Sequence, residues 1–486
     1  MNPTAPLHAA PAATLLPLCV DLDGTLVRSD TLLEDIFSLP LNVRLLWCFA
    51  GLFSGRAVFK KRVAQTSALQ ASLLPYNAKL LAYLREQKAA GRSLILATAA
   101  DSVTARKVAE HLELFDEVIA SDGGENIKGH AKARVLSKRF GEKGFAYAGN
   151  SSSDLPVWCA AGSAVIVNAP RRVAASARDS AIVEAEIAER PALLPAILRA
   201  MRPHQWVKNV LVFVPIVTAH AMRDLATWSH AAFAFLAFSA TASGIYLLND
   251  ISDLSADRTH PRKSARPFAS GEIPLHLGVL IAVVLLGAGT ALAILGNVLD
   301  IVLIYALMSV AYTARLKTMP LVDVFMLAGL YTIRLFGGGR ASGWPVSFWL
   351  LAFSNFLFLG LALVKRVAEL QAIGPQGFNL ARRGYRLEDI PILQMLGCGS
   401  ALAASLVLAL FIESEATVGV GRYATPGVLW GLVPLILFWQ FRLWLATTRG
   451  NMHDDPIVYA AGDWVTWLVC AASLAVLLAA KSLTFH

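Results

Sequence analysis

The sequence predicts a two-part fold: an N-terminal α/β, Rossmann-like domain over 1–198, then an all-α polytopic membrane bundle of about nine transmembrane helices over 199–486. Three observations predict it. Of 486 residues 56% are apolar and 16% charged, a balance that excludes an ordinary soluble enzyme, a disordered chain or a coiled coil. The apolar residues are unevenly spread, in short runs up to about residue 198 and in long repeated runs after it. The formal charge of +9 is spread between the two parts, 22 basic against 19 acidic residues in 1–198 and 21 against 15 afterwards, which topology explains better than nucleic-acid binding, so no nucleic-acid partner is expected.

In the first part, apolar runs at 15–20, 93–98 and 164–167 alternate with charged, helix-length stretches, and none is long enough to cross a bilayer. The N-terminus lacks the flank, apolar core and cleavage site of a signal peptide, so this domain is expected to stay in the cytosol. Residues 40–54 are its most apolar piece and carry Arg44; they read as a buried helix or as a surface that touches the membrane. The five cysteines, Cys19, Cys48, Cys159, Cys398 and Cys470, form no CxxC pair, which excludes a zinc ribbon, a thioredoxin-like site and a disulfide scaffold.

In the second part nine apolar runs approach the roughly 20 residues needed to span a hydrocarbon core, at about 207–222, 229–248, 275–296, 298–314, 319–338, 345–364, 391–412, 427–446 and 464–481. Loops after the even-numbered runs hold thirteen Lys and Arg residues against three in the opposite loops, Arg223, Arg340 and Arg422. The cationic side is therefore expected in the cytosol and, with an odd number of spans, the C-terminus outside.

The first apolar run leads directly into Asp21-Leu22-Asp23-Gly24-Thr25, which places two carboxylates at the C-terminal edge of a sheet, where open α/β folds bind ligands. Thr98 ends a second strand, Lys132 lies on a helical stretch, and a third strand runs into Gly149-Asn150-Ser151-Ser152-Ser153-Asp154. In this order the four elements resemble the haloacid dehalogenase superfamily of phosphohydrolases, with about 31–90 as a small helical cap. The resemblance implies Asp21 as nucleophile, Asp23 as general acid, Thr98 and Lys132 as phosphoryl contacts, and Mg²⁺ held by Asp21, Asp23, Asn150 and Asp154. Asn150 stands where that family usually has an acid, so the domain reads either as an active phosphatase or as a scaffold derived from one.

The second run of the membrane part ends in Asn249-Asp250-Ile251-Ser252-Asp253-Leu254-Ser255-Ala256-Asp257, whose spacing of three and four predicts Asp250, Asp253 and Asp257 on one helical face. Such a ladder suits Mg²⁺ shared with substrate phosphates. The adjoining Arg258, Lys263 and Arg266 add phosphate donors, and together they describe a pyrophosphate site. These residues resemble the UbiA superfamily of intramembrane prenyltransferases, which has nine transmembrane helices and an NDxxDxxxD signature.

Where most members carry a second aspartate cluster, this chain has Lys365-Arg366-Val367-Ala368-Glu369, followed by Tyr385. With Lys208, Tyr312, Lys317, Asp323, Arg334 and Asp454-Asp455-Pro456, it is similar to the decaprenyl-phosphate phosphoribosyltransferase branch. That resemblance implies phosphoribosyl pyrophosphate as donor, a polyprenyl phosphate as acceptor and a bacterial-type inner membrane as location. It also implies substrate contacts from Asn249, Arg258, Lys263, Arg266, Tyr312, Lys317, Lys365, Arg366, Glu369, Tyr385 and Lys208. An aromatic prenyltransferase using a prenyl diphosphate, and a transporter with a regulatory domain, remain alternatives, and homo-oligomerisation is left open.

Overall fold

In a computed structural model the described residues are 15–39, 55–122, 126–189, 191–219, 224–373, 384–416, 424–452 and 456–482. The expectations for 40–54 and for Asp454-Asp455 lie outside them. The chain divides into two compact units, Met1–Ala200 with Leu247–Leu280, and Met201–Tyr246 with Ile281–His486.

The first unit is built on β1 (Leu18–Val20), α1 (Thr31–Phe37), α2 (Arg56–Thr66), α3 (Ala78–Ala89), β2 (Leu94–Asp101), α4 (Ser102–Leu112), β3 (Glu117–Ser121), α5 (His130–Phe140), β4 (Ala146–Gly149), α6 (Leu155–Ala160), β5 (Ser163–Val167), α7 (Arg171–Ser180) and β6 (Ile182–Ile187). All strand pairs are parallel, in the order β3-β2-β1-β4-β5-β6. Such a sheet is covered on both faces, which is why its inner strands read as unbroken apolar runs. Leu18, Val20, Leu94 and Leu96 pack with Leu84 and Val108 of α3 and α4 on one face. Cys19, Ile95 and Tyr147 pack with Leu136 and Trp158 of α5 and α6 on the other. Register sets Val20 beside Leu96 and Ala148, so the ends of β1, β2 and β4 form one edge.

Beyond the sheet come α8 (Leu193–Met201), a 3-10 stretch (Pro203–Phe213), α9 (Val214–Thr218), α10 (Leu225–Ser252), α11 (Leu254–Thr259), α12 (Leu275–Leu295), α13 (Leu299–Ala314), α14 (Val322–Ser342), α15 (Phe348–Ile373), α16 (Ile390–Phe411), α17 (Leu432–Thr448), α18 (Pro456–Gly462) and α19 (Trp464–Ser482). Among the described residues seven helices are long and apolar enough to cross a membrane, and Leu299–Ala314 is a shorter apolar helix. The count of about nine is not confirmed by these helices. The first expected span is instead a 3-10 stretch followed by a five-residue helix, with prolines at 203 and 215 near the start of each piece. Proline lacks the backbone donor that a continuous helix needs there.

Small residues set how closely membrane helices approach. A Cβ built on Gly397 of α16 would lie 1.8 Å from Cζ2 of Trp444 on α17. Gly397→Val is therefore expected to destabilise the membrane unit by about 1–3 kcal/mol, measured as a lower thermal midpoint in detergent.

Candidate functional site

The first cluster lies where β1, β2 and β4 end. Asp21 follows β1 and donates its backbone N–H to Ala148 O at 3.0 Å, so the side chain emerges at the strand edge. Lys132, in the first turn of α5, donates from Nζ to Asp21 Oδ1 at 2.7 Å and to the Tyr147 hydroxyl at 2.8 Å. That hydroxyl in turn donates to Asp154 Oδ1 at 2.8 Å. The other oxygen of Asp154, Oδ2, accepts from the backbone N–H groups of Asn150 and Ser151 and from Ser151 Oγ, and so shapes the loop after β4. Gly24 has φ +73°, and a Cβ there would fall 2.2 Å from Asn150 Nδ2. Only glycine lets the loop carrying Asp23 approach Asn150 so closely.

Asp23 Oδ1 accepts from both the backbone N–H and the Oγ1 of Thr31, each at 2.7 Å, at the start of α1. Burial pushes the Asp21 carboxyl up to about 6, with Lys132 opposing, and pushes Asp23 up to about 7, with nearby Asp30 adding to the rise. Tyr147 is held well above the usual phenol range by burial and by Asp154. A cavity of about 470 Å³ joins Asp21, Asp23, Lys132 and Asn150 to Arg28, Lys60 and the 271–276 segment. Thr98 is fully buried and its Oγ1 accepts from Ala100 N; the cavity wall at that strand is Ala99, Ala100 and Asp101.

The donors here are oxygens, the set that suits a hard divalent cation such as Mg²⁺, and the raised carboxyls record burial that one lysine does not offset. Among the described residues no three acidic, histidine or cysteine side chains converge into a complete metal site. The arrangement therefore fits an ion that takes some of its ligands from substrate oxygens or water.

The aspartate ladder belongs to the same unit, but its geometry differs from the expected single helical face. α10 ends at Ser252 and α11 starts at Leu254; Asp253 between them, with φ −96° and ψ 13°, sits at the N-cap position without a side-chain cap bond and interrupts the helix. Even so, Asp250 and Asp257 converge: Arg266 Nη1 donates to Asp250 Oδ1 at 3.0 Å and to Asp257 Oδ2 at 2.7 Å. Burial raises the Asp257 carboxyl, and Arg266 opposes it. A guanidinium shared by two buried carboxylates marks a place where positive charge is required, and these oxygen donors also fit Mg²⁺. Lys263 is exposed on the turn before Arg266. Arg258, expected among the phosphate contacts, is turned elsewhere: Nη1 and Nη2 donate to both carboxylate oxygens of Glu34, at 2.9 and 2.7 Å, and Nε to Ala269 O.

In the second unit the structure brings Arg366, Glu369 and Tyr385 together around Asp323. Arg366, 1% exposed, pairs with fully buried Asp323 and with Glu369, and its guanidinium lies 5.6 Å from the Tyr385 ring centroid. The Tyr385 hydroxyl donates to Asp323 Oδ1 at 2.5 Å. Arg334 donates from Nε to Asn209 Oδ1 at 2.6 Å and from Nη2 to the Tyr305 hydroxyl at 3.2 Å. Neighbouring Lys208 has its Nζ 5.6 Å from the Tyr331 ring centroid. Lys365 is half-buried in the C-terminal half of α15, and Tyr312 and Lys317 are half-buried at and just beyond the end of α13. Sequence reasoning missed Tyr147, Thr31 and Glu34. A buried tyrosine on an apolar strand carries no signal of its own, and Thr31 is marked only by following the N-capping Asp30.

Comparison with known proteins gives two family matches: the UbiA prenyltransferase family over residues 210–458, and a haloacid dehalogenase-like hydrolase over 18–158. Uncharacterized protein y4nM of Sinorhizobium fredii is 36% identical over 463 residues, 94% of this chain and 89% of its own. Nodulation protein NoeC of Azorhizobium caulinodans is 36% identical over 283 residues, 57% of this chain and 90% of its own. Decaprenyl-phosphate phosphoribosyltransferase of Mycobacterium tuberculosis is 37% identical over 186 residues, 37% of this chain and 61% of its own.

Tyr147→Phe keeps the ring but removes the hydroxyl between Lys132 and Asp154, leaving each short of a buried partner. The expected loss is about 1–3 kcal/mol, read from denaturant unfolding of the first transition.

Proposed function

The chain belongs to the UbiA prenyltransferase family and carries a haloacid dehalogenase-like domain ahead of it, and from this premise we propose that it is a polyprenyl-phosphate phosphoribosyltransferase. The membrane half, from about residue 199, moves 5-phosphoribose from phosphoribosyl pyrophosphate to a polyprenyl phosphate. The domain before it removes the 5-phosphate of the lipid-linked product. The M. tuberculosis relative, named for the first of these reactions, supports the transfer step.

An oxygen of the lipid phosphate forms the new bond to C1 of the ribose as the bond from C1 to pyrophosphate breaks. The acceptor is already ionised near neutral pH, so the protein needs no strong base; its tasks are alignment and charge compensation. Asp250, Asp253 and Asp257 would hold Mg²⁺, which when bound neutralises charge on the leaving pyrophosphate. Arg266 and Lys263 donate to the diphosphate, with Asn249 beside them. Lys208, Tyr312, Lys317, Lys365, Arg366, Glu369 and Tyr385 serve the remaining substrate groups.

One observation carries the choice of donor: Arg366 is fixed between Asp323 and Glu369 in the C-terminal half of α15, where most diphosphate prenyltransferases would place further aspartates. A fixed cation suits a phosphate that stays on the substrate.

In the first unit Asp21 attacks phosphorus and Lys132 steadies the phosphoryl group. Asp23, its carboxyl held near neutrality, protonates the departing oxygen. One chain carrying both centres raises the effective concentration of the intermediate for the second step. The positive loops support a cytosolic location for both centres, at a bacterial-type inner membrane.

The test offers radiolabelled phosphoribosyl pyrophosphate, a short polyprenyl phosphate and Mg²⁺ to the full-length protein. Wild type is expected to release pyrophosphate and yield the dephosphorylated lipid, Asp250→Ala to lose transfer by at least about a hundredfold, and Asp21→Asn to stop at the 5-phosphate. Pyrophosphate release from a prenyl diphosphate instead would overturn the donor. The same phosphorylated lipid from wild type and Asp21→Asn would overturn the second step.

A further inference from the structure

Arg258 follows directly on the third acid of the ladder, yet it is committed to the phosphatase-like cluster. Its guanidinium grips Glu34 through both terminal nitrogens, at 2.9 and 2.7 Å, while Nε holds Ala269 O at 3.0 Å. The two side chains, at 8% and 3% exposure, are almost enclosed. Removing charges from water makes such a pair a poor source of net stability, and its best-attested use is to fix one arrangement of the elements that carry it.

The element carrying Glu34 is α1, seven residues long. One turn before Glu34 on that helix is Thr31, whose backbone N–H and Oγ1 both donate to Asp23 Oδ1. With Oδ1 held as a double acceptor, the proton of an Asp23 acid resides on Oδ2. At its start the helix is capped by Asp30, and on its buried side Asp35 Oδ2 accepts from Thr104 Oγ1. The helix is thus clamped, and its one buried ion pair outside the 15–187 sheet region is to Arg258 among the described residues.

We propose that Glu34 and Arg258 are a positioning pair for the phosphatase centre: through α1 and Thr31 they aim the Asp23 carboxyl at the leaving-group oxygen. The inference rests on reading the Asp21 and Asp23 cavity as a phosphomonoesterase. In the step concerned an Asp21 oxygen forms its bond to phosphorus, the ester P–O bond breaks, and the departing oxygen takes the proton from Asp23. An aryl oxygen leaves readily as its anion and needs that proton little. An alkyl oxygen needs it strongly. A fault in aiming Asp23 therefore shows as a change in leaving-group preference, whereas general weakening of the fold lowers both rates alike.

Full-length protein with Mg²⁺ is assayed on p-nitrophenyl phosphate and on ribose 5-phosphate, comparing wild type with Arg258→Met, Glu34→Gln and Thr31→Val. Each variant is expected to lose about tenfold or more in kcat on ribose 5-phosphate and no more than about threefold on p-nitrophenyl phosphate, with both KM values little changed. Arg258→Lys is expected to recover part of the alkyl rate. If Arg258→Met does not fold, the other two substitutions carry the same comparison. Parallel loss on both substrates, or an unchanged ratio, overturns the positioning role while the phosphatase reading stands. Absence of Mg²⁺-dependent turnover of either substrate by wild type overturns the phosphatase reading and this inference with it.

Discussion

Carboxylates withdrawn from water must find positive charge or give up their own, and most of what is distinctive in this chain follows from that constraint. Asp21 has Lys132, Asp250 and Asp257 share Arg266, Glu34 has Arg258, and Asp323 has Arg366. Each pair is at least partly enclosed, so losing one partner would strand a charge at a cost of about 3–5 kcal/mol for a well-buried pair. Compensation is nonetheless incomplete where the chemistry is expected. Lys132 leaves the carboxyls of Asp21 and Asp23 raised, and Arg266 leaves that of Asp257 raised. Around Arg366 two acids and a tyrosine surround a single cation. At all three sites the acids outnumber the cation that faces them.

Much of the architecture could be read from residue order. Strands buried on both faces must be apolar throughout, so the runs at 15–20, 93–98 and 164–167 mark β1, β2 and β5, and a glycine after two acids marks the strand edge. Membrane helices announce themselves by length, and seven do so here among the described residues. Hydropathy is blind to backbone donors, however, so a run containing Pro215 looked like a span although it forms only short helical pieces.

The sites were legible in their acids and less so in their partners. A spacing of three and four assumes that a helix continues, and at Asp253 it is interrupted; Asp250 and Asp257 nonetheless face one cation, Arg266. Thr98 was read as facing the phosphoryl group, but β2 runs on to Asp101 and the residues that reach the cavity come after it. Arg258 looked like one of several interchangeable cations. Its partner is 224 positions away, a separation at which local pattern carries no information.

The use of 247–280 to complete the first unit bears on how the protein is made. Translation delivers the sheet, α1 and the Asp21 cluster well before Arg258 leaves the ribosome, and early segments fold as they emerge. Until the stretch beyond Ser252 has been synthesised, Glu34 lacks its counter-charge and the cavity lacks its Gly271 to His276 side. A nascent or truncated chain would thus hold an unfinished cavity, completed only once residues 247–280 have been made.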